Sequence, residues 1–78
     1  MPLDLPPKLE LLHAALDGHG EVDILSLHAY VIGGRTPPRR TAQQHLGPYV
    51  TDLNRRLKGH RKIVQPGRLK GTYALISL

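Results

Sequence analysis

The last 38 residues of the chain combine a long amphipathic helix with a β-hairpin, and this combination restricts the possible folds most strongly. Four apolar residues are spaced by four, three and four positions, which places them on one face of a helix. They are Leu46, Val50, Leu53 and Leu57. Beyond them the chain changes to short β-prone segments that are separated by Gly and Pro. A helix that buries one face against a small sheet is therefore expected.

The start of this helix is indicated by its capping residues, and its middle contains a proline. Thr41 and Gln44 fit a capping box, in which the threonine caps the helix and the glutamine reaches back. Pro48 lacks the amide hydrogen that a helix interior requires, so it either kinks the helix or opens a second one at Gly47-Pro48. The sequence therefore favours a short lead-in turn and a main helix from about Pro48 to Lys58, which Gly59 ends.

Two β-prone segments follow, over residues 62–65 and 72–76, and both are rich in Ile, Val, Thr and Tyr. Pro66-Gly67 and Gly71 mark a turn between them. Antiparallel pairing of the two segments predicts a hairpin with Arg68 and Lys70 at its tip.

The first 40 residues predict two shorter helices with a minimal strand between them. The first helix is expected over Pro7–Leu16, because prolines suit the first helical turn. Glu21-Val22 suits a strand of one or two residues, and Asp23 suits the N-cap of a second helix over Ile24–Ile32. Gly33–Arg40 is predicted to be a loop, because its paired Gly and paired Pro both break helices.

These elements predict one small α+β domain over residues 1–78, in the order helix, short strand, helix, helix, strand, strand. Three helices with a C-terminal β-hairpin are typical of a winged helix-turn-helix. The chain contains no cysteine, so neither a disulfide nor a thiolate metal site stabilises it. A core of this size typically supplies about 3–5 kcal/mol, and apolar packing must provide it.

Charge is distributed unevenly along the chain. Residues 35–70 contain ten of the eleven Lys and Arg residues, whereas residues 1–34 contain one Lys, no Arg and most of the acidic side chains. A basic patch confined to one half of a domain is typical of a nucleic-acid footprint. The sequence therefore indicates a polyanionic partner, and double-stranded DNA in particular.

Side chains that read or contact DNA lie opposite the apolar stripe when 100° is counted per residue. Gln, Asn, Thr and Arg are the types that read base edges, and Lys and Arg also bind phosphates. The predicted DNA-contacting residues are Arg39, Arg40, Gln44, Thr51, Asn54, Arg55, Lys58, Arg61, Lys62, Arg68 and Lys70. Asp52 lies on the same face, where it can pair with Arg55, Arg56 or Lys58, or accept from a cytosine amino group. The sequence does not choose between these.

The segment Tyr49-Val50-Thr51-Asp52-Leu53-Asn54-Arg55-Arg56-Leu57 resembles the recognition helix of the OmpR/PhoB-type response-regulator DNA-binding domain. Ile63-Val64 and Gly71-Thr72-Tyr73-Ala74-Leu75 resemble the wing of that family. The resemblance implies a winged fold, sequence-specific DNA binding, transcriptional control, and a contact between the loop Gly33–Arg40 and RNA polymerase. The four-stranded N-terminal sheet of that family has no counterpart here, because residues 1–20 are predicted to be helical.

Protein binding and RNA binding are the alternatives to DNA binding. The principal alternative is a protein-binding module of the same fold, an anti-activator or adaptor that docks on a regulator or on RNA polymerase through apolar anchors such as Tyr49 or Leu69. RNA binding is disfavoured because three tyrosines are the only aromatic residues, and they suggest no stacking platform. Tandem sites or a homodimer are expected, because one domain of this size buries only a modest DNA surface.

Several kinds of chemistry lack their sequence signals. The five histidines show no His-x₃-His spacing, no phosphate-binding loop follows Gly33-Gly34, and neither serine lies in a nucleophile motif. We therefore expect no enzyme activity, no cofactor and no metal. The sequence contains no apolar run of membrane-spanning length and no secretory leader pattern, so a cytoplasmic location is expected.

Overall fold

The computed structural model describes residues 4–78, so the first three residues of the predicted domain lie outside the described part. The elements are α1 (Pro7–Leu16), β1 (Glu21–Asp23), α2 (Ile24–Val31), α3 (Arg39–Leu57), β2 (Lys62–Pro66) and β3 (Thr72–Ser77). The predicted α+β class and the predicted order of elements are confirmed, and the bounds of α1 agree with the prediction.

The two N-terminal helices begin and end where their sequences predict, to within one residue. Proline occupies the first turn of α1. Asp23 caps α2, because its Oδ1 accepts the backbone N–H of Leu25 at 2.8 Å. Gly33 follows α2 with a φ of 79°, and its N–H donates to the His28 carbonyl at 2.9 Å. A left-handed glycine at this point satisfies a terminal carbonyl of α2 and ends the helix.

The longest helix, α3, differs from the prediction at its start and in its middle. It runs unbroken from Arg39 to Leu57 and contains Pro48, so the predicted division into a lead-in turn and a main helix is wrong. Gly47 explains this continuity, because a residue without a Cβ avoids the clash that disfavours helical backbone before proline. Pro48 is exposed, so the carbonyl that it leaves without an amide partner is on the solvent side.

The predicted capping box of α3 is also wrong. Pro38 occupies the N-cap position, and no side chain caps the helix there. Thr41 lies at the third helical position, and the connecting loop therefore ends at Pro38, two residues earlier than predicted. The fixed φ of proline suits a chain that enters a helix, so the Pro37-Pro38 pair begins α3 and does not merely separate it from α2.

The three strands form one antiparallel sheet in the order β1-β3-β2. The hairpin of β2 and β3 pairs Lys62 with Ser77 at its open end and Pro66 with Tyr73 near its tip. The short strand β1 pairs Val22 with Tyr73 on the other side of β3. The predicted hairpin is confirmed, and β2 forms an outer edge of the sheet.

The core lies between the three helices and the inner face of the sheet. All four apolar residues of the predicted α3 stripe are buried, with Leu46, Leu53 and Leu57 fully inaccessible. They pack with buried residues of the other elements, namely Leu9, Leu12, Leu16, Ile24, Leu27, Val31, Ala42, Val64 and Tyr73. This packing fixes which side of α3 faces solvent. Among the helices of residues 4–78, none combines the length and the apolar character needed to cross a membrane.

Candidate nucleic-acid interface

One exposed stripe runs along the whole of α3 on the side opposite the core. Its members recur every three or four residues, so they share one helical face. They are Arg40, Gln44, Pro48, Thr51, Arg55 and Lys58, and all six are exposed. At 1.5 Å per residue, the 19 residues of α3 extend about 28 Å. We call this surface the α3 stripe; it carries three cations and no carboxylate.

The one acidic residue of α3 is paired beside the stripe. Asp52 Oδ1 lies 3.6 Å from Arg56 Nε, one helical turn later, so the structure selects Arg56 among the partners that the sequence left open. Both side chains are more than two-fifths exposed, so the pair contributes only about 0.3–0.5 kcal/mol to stability. Its electrostatic effect matters more, because Arg56 balances a carboxylate that would otherwise repel a polyanion.

The hairpin tip, residues 67–71, has a fixed backbone. The Gly67 N–H donates to the Thr72 carbonyl at 3.0 Å. Glu21 reaches the tip from β1, where its Oε1 accepts the backbone N–H of Arg68 and that of Leu69, the latter at 3.2 Å. The Thr72 hydroxyl donates to the Leu69 carbonyl at 2.7 Å. The tip therefore presents its exposed side chains from a turn that is held on both sides.

Gly67 has no side chain, and the side chains of Thr72 and Glu21 occupy the space that a Cβ at this position would need. A Cβ at this position would overlap Thr72 Oγ1 and would lie 2.8 Å from Glu21 Oε1. We expect Gly67→Ala to lower the free energy of unfolding by about 1–2 kcal/mol, because both side chains must move and lose hydrogen bonds. Thermal unfolding checks this against Gln65→Ala, an exposed change in β2. Equal stability of the two variants would contradict the tip geometry.

Arg39 connects the start of α3 to the N-cap of α2 and to the hairpin tip. Its Nη2 lies 2.9 Å from Asp23 Oδ2, and a Cβ on Gly71 would lie 2.8 Å from its Nη1. The Arg39 guanidinium, followed by the backbone N–H of Leu25, lowers the pKa of the Asp23 carboxyl. The charge of Arg39 is thus already balanced within the protein. The Arg39 side chain is nevertheless 54% exposed, so Arg39 both pairs with Asp23 beside the hairpin tip and stays a predicted DNA contact.

The lowered pKa of Asp23 makes part of the stability dependent on pH. A carboxyl with a lower pKa in the folded state stabilises the protein above its unfolded pKa, and this contribution is lost as the pH falls through the folded value. Asp23→Asn keeps an N-cap oxygen but removes the charge. We expect wild type to have the higher Tm at neutral pH, and the difference to close below about pH 4. Asp17→Asn is the control, because Asp17 has no basic partner among residues 4–78. A Tm difference between wild type and Asp23→Asn that persists in acid would contradict the ion pair.

Asn54 requires a correction to the predicted base-reading set. Its Nδ2 donates to the Val64 carbonyl at 2.9 Å, and its Oδ1 accepts the Val64 N–H at 2.7 Å. Because β2 is an edge strand, the carboxamide occupies the place that the peptide of a neighbouring strand would take. The donor and acceptor needed to bind adenine are therefore used within the protein. We assign Asn54 to the junction of α3 with β2 and remove it from the DNA-contacting set.

Lys58, Arg61 and Lys62 form a second group of cations, which we call the basal cluster. Lys62 pairs with Ser77 at the open end of the hairpin, so this cluster lies about 17 Å of extended strand away from the tip. Arg61 is exposed and has a φ of 57°, which closes the turn between α3 and β2. The predicted cations of the hairpin therefore divide between its two ends, and the α3 stripe connects them.

Two contacts of this region were not predicted from the sequence. Glu21 lies 47 residues from Arg68, and no local pattern indicates that a carboxylate supports so distant a turn. His28 is buried, and its Nε2 lies 3.1 Å from His45 Nδ1, in a hydrogen bond that joins α2 to α3. The burial of His28 could have been predicted from its helical spacing to Ile24 and Val31, because those residues lie on the buried face of α2.

Comparisons of the chain with protein-family models, with curated proteins and with solved structures found no match. The function must therefore be inferred from the structure, and from three surfaces in particular: the α3 stripe, the hairpin tip and the basal cluster. These three surfaces carry every predicted DNA-contacting residue except Arg39 and Asn54, which are engaged within the protein.

Proposed function

We propose that this protein is a winged helix-turn-helix that binds double-stranded DNA with sequence specificity and regulates transcription. The observation that carries the proposal is the α3 stripe, an exposed face about 28 Å long with three cations and no carboxylate. A helix about 10–12 Å in diameter fits a major groove about 12 Å wide. In this arrangement α2 and α3 are the helix-turn-helix, and β2 with β3 is the wing.

The residues of the α3 stripe divide into two roles. Arg55 and Gln44 have the donors and acceptors that bind guanine and adenine edges, and Thr51 suits a thymine methyl group or a phosphate. Arg40 and Lys58 lie near the two ends of α3, where they bind the phosphates that border the groove. The first turn of α3 adds to this attraction, because its N–H groups have no side-chain cap and its dipole is positive there.

The wing extends the contact along the DNA backbone. Arg68 and Lys70 are exposed at the hairpin tip, and Arg39 lies against the tip at the start of α3. The tip and the N-terminal turn of α3 are therefore neighbours, so one protein can bind a groove and the phosphates next to it. The segment Gly33–Arg40, whose last two residues belong to α3, remains the proposed contact with RNA polymerase or another regulator. A homodimer or tandem sites would enlarge the bound surface.

The first test is fluorescence-anisotropy binding of the wild-type protein to random duplex DNA over a series of salt concentrations. If three to five of the exposed cations bind phosphates, log K should fall linearly with log salt with a slope of about −2.7 to −4.5. Selection from a random duplex library would then define the operator. Absent binding at low salt, or a flat salt dependence, would overturn the proposal.

A groove beside the basal cluster supports a second candidate function, which is docking on another protein. The groove has a volume of about 350 Å³ and lies between the end of α3 and the start of β2. Leu57, Ile63 and Leu78 are its apolar lining, and Lys58, Arg61 and Lys62 are its cations. This combination is complementary to a peptide segment that places acidic side chains beside apolar anchors.

Binding of a labelled peptide of alternating Glu and Leu residues tests this second candidate. Leu78→Ser removes an exposed apolar side chain of the groove and leaves the α3 stripe unchanged. Weaker peptide binding with unchanged DNA binding would support a docking groove. Equal peptide binding by wild type and Leu78→Ser would exclude it.

A further inference from the structure

The hairpin tip carries an exposed leucine between two cations. Leu69 is 64% exposed, and Arg68 and Lys70 on either side of it are exposed as well. A single exposed apolar residue is ordinary on a protein surface. What distinguishes this one is its position at the end of a basic hairpin and the number of contacts that hold its backbone.

The backbone of Leu69 is hydrogen-bonded at both its polar groups. Its N–H donates to Glu21 Oε1 at 3.2 Å, and its carbonyl accepts the Thr72 hydroxyl at 2.7 Å. Glu21 also accepts the N–H of Arg68. A mobile tip would lose conformational entropy on binding, and a tip that is already ordered avoids much of that cost. The Leu69 side chain is therefore positioned before a partner binds.

The charge arrangement around the tip indicates the partner. Glu21 places one negative charge beneath the tip, where its Oε1 accepts the backbone N–H groups of Arg68 and Leu69. Arg68 and Lys70 supply two exposed positive charges on either side of the leucine. An apolar side chain between two cations matches a DNA minor groove, in which phosphates flank stacked bases.

We propose that the hairpin tip enters the minor groove and inserts Leu69 between two base pairs, while Arg68 and Lys70 bind the flanking phosphates. This inference rests on the proposed DNA binding and adds a mode of action to it. Apolar wedges of this kind partly unstack a base step and kink the duplex by about 20–90° towards the major groove.

The proposal is tested by measuring DNA binding and DNA bending with the same 78-residue protein. Energy transfer between dyes at the ends of a duplex of about 30 base pairs reports the bend, and anisotropy over a salt series reports affinity and slope. Leu69→Ala removes the wedge, whereas Leu69→Met keeps an apolar side chain of similar volume there. Leu11→Ala, on the exposed face of α1, is the matched control for loss of a surface leucine.

We expect wild type, Leu11→Ala and Leu69→Met to bend the duplex, and Leu69→Ala to leave it nearly straight. Leu69→Ala should bind about five- to tenfold more weakly with an unchanged salt slope, because it removes apolar contact and no charge. Salt-dependent binding by wild type without bending overturns the wedge alone, as does a Leu69→Ala variant that bends DNA like wild type. Absence of salt-dependent binding by wild type overturns the proposed function itself.

Discussion

Replacement of Arg55 by alanine is expected to weaken binding to duplex DNA by about tenfold or more at low salt. Arg55 is exposed in the α3 stripe, and it has no carboxylate partner within the part of the chain that the structure describes. Its guanidinium is therefore available to a guanine edge or to a phosphate. If it binds a phosphate, the salt slope becomes shallower by about 0.9; if it binds a base, the slope changes little and discrimination between operator and random DNA falls.

Arg56→Ala is the matched control for this experiment. It removes the same side chain from the next position of the same helix, so helix propensity and net charge change equally. Arg56, however, is paired with Asp52 beside the stripe. We expect a loss of affinity of about threefold, smaller than that of Arg55→Ala, because Asp52 then lies unbalanced beside the stripe. The loss of stability should be limited to the few tenths of a kcal/mol of an i,i+4 pair. Equal effects of the two replacements would mean that binding responds to net charge alone, and would contradict the assignment of the α3 stripe.

The parts of this fold that the sequence predicted are those that depend on local patterns. The apolar spacing from Leu46 to Leu57 predicted the buried face of α3, because helical geometry alone determines it. The N-cap role of Asp23 and the hairpin turn also depend on residues that are neighbours in the chain. Exposure of Gln44, Thr51 and Arg55 follows from the same geometry once the buried face is known.

The parts that were missed depend on contacts between distant segments or on two adjacent residues that compensate each other. Pro48 alone predicted a break, but Gly47 before it permits helical backbone. Glu21 and Arg68 meet only because β1 and β2 both lie beside β3. Arg39 and Asp23 meet across the start of two helices. The sequence did not indicate this ion pair, because a partner 16 residues away leaves no periodic signal.

Asn54→Ala is the change expected to reduce stability most among the polar residues of α3. The Asn54 carboxamide satisfies both backbone groups of Val64, a residue that is itself buried in the core. Alanine leaves an N–H and a carbonyl without partners in a partly buried place, and each such group costs about 1–3 kcal/mol when water cannot reach it. A loss of about 2 kcal/mol is expected, and in a domain of this size it lowers Tm by about 8–16 °C.

Two further variants separate hydrogen bonding from other effects at this position. Gln43→Ala removes an exposed amide from the same helix and should leave Tm nearly unchanged, because water replaces what the side chain loses. Asn54→Asp keeps an acceptor for the Val64 N–H but places a carboxylate against the Val64 carbonyl. Its stability at neutral pH should therefore be no better than that of Asn54→Ala, and it should recover when acid protonates the carboxyl and restores a donor.

DNA binding distinguishes this structural role of Asn54 from the base-reading role that its sequence position suggested. Well below the Tm of the variant, folded Asn54→Ala should bind DNA with the salt slope and operator preference of wild type. It should also associate more readily at high concentration, because the carboxamide no longer covers the middle of the β2 edge, where an unpaired N–H and carbonyl can recruit another strand. A wild-type Tm with reduced operator discrimination would reverse the assignment, because the same carboxamide cannot both satisfy Val64 and bind adenine through its donor and acceptor together.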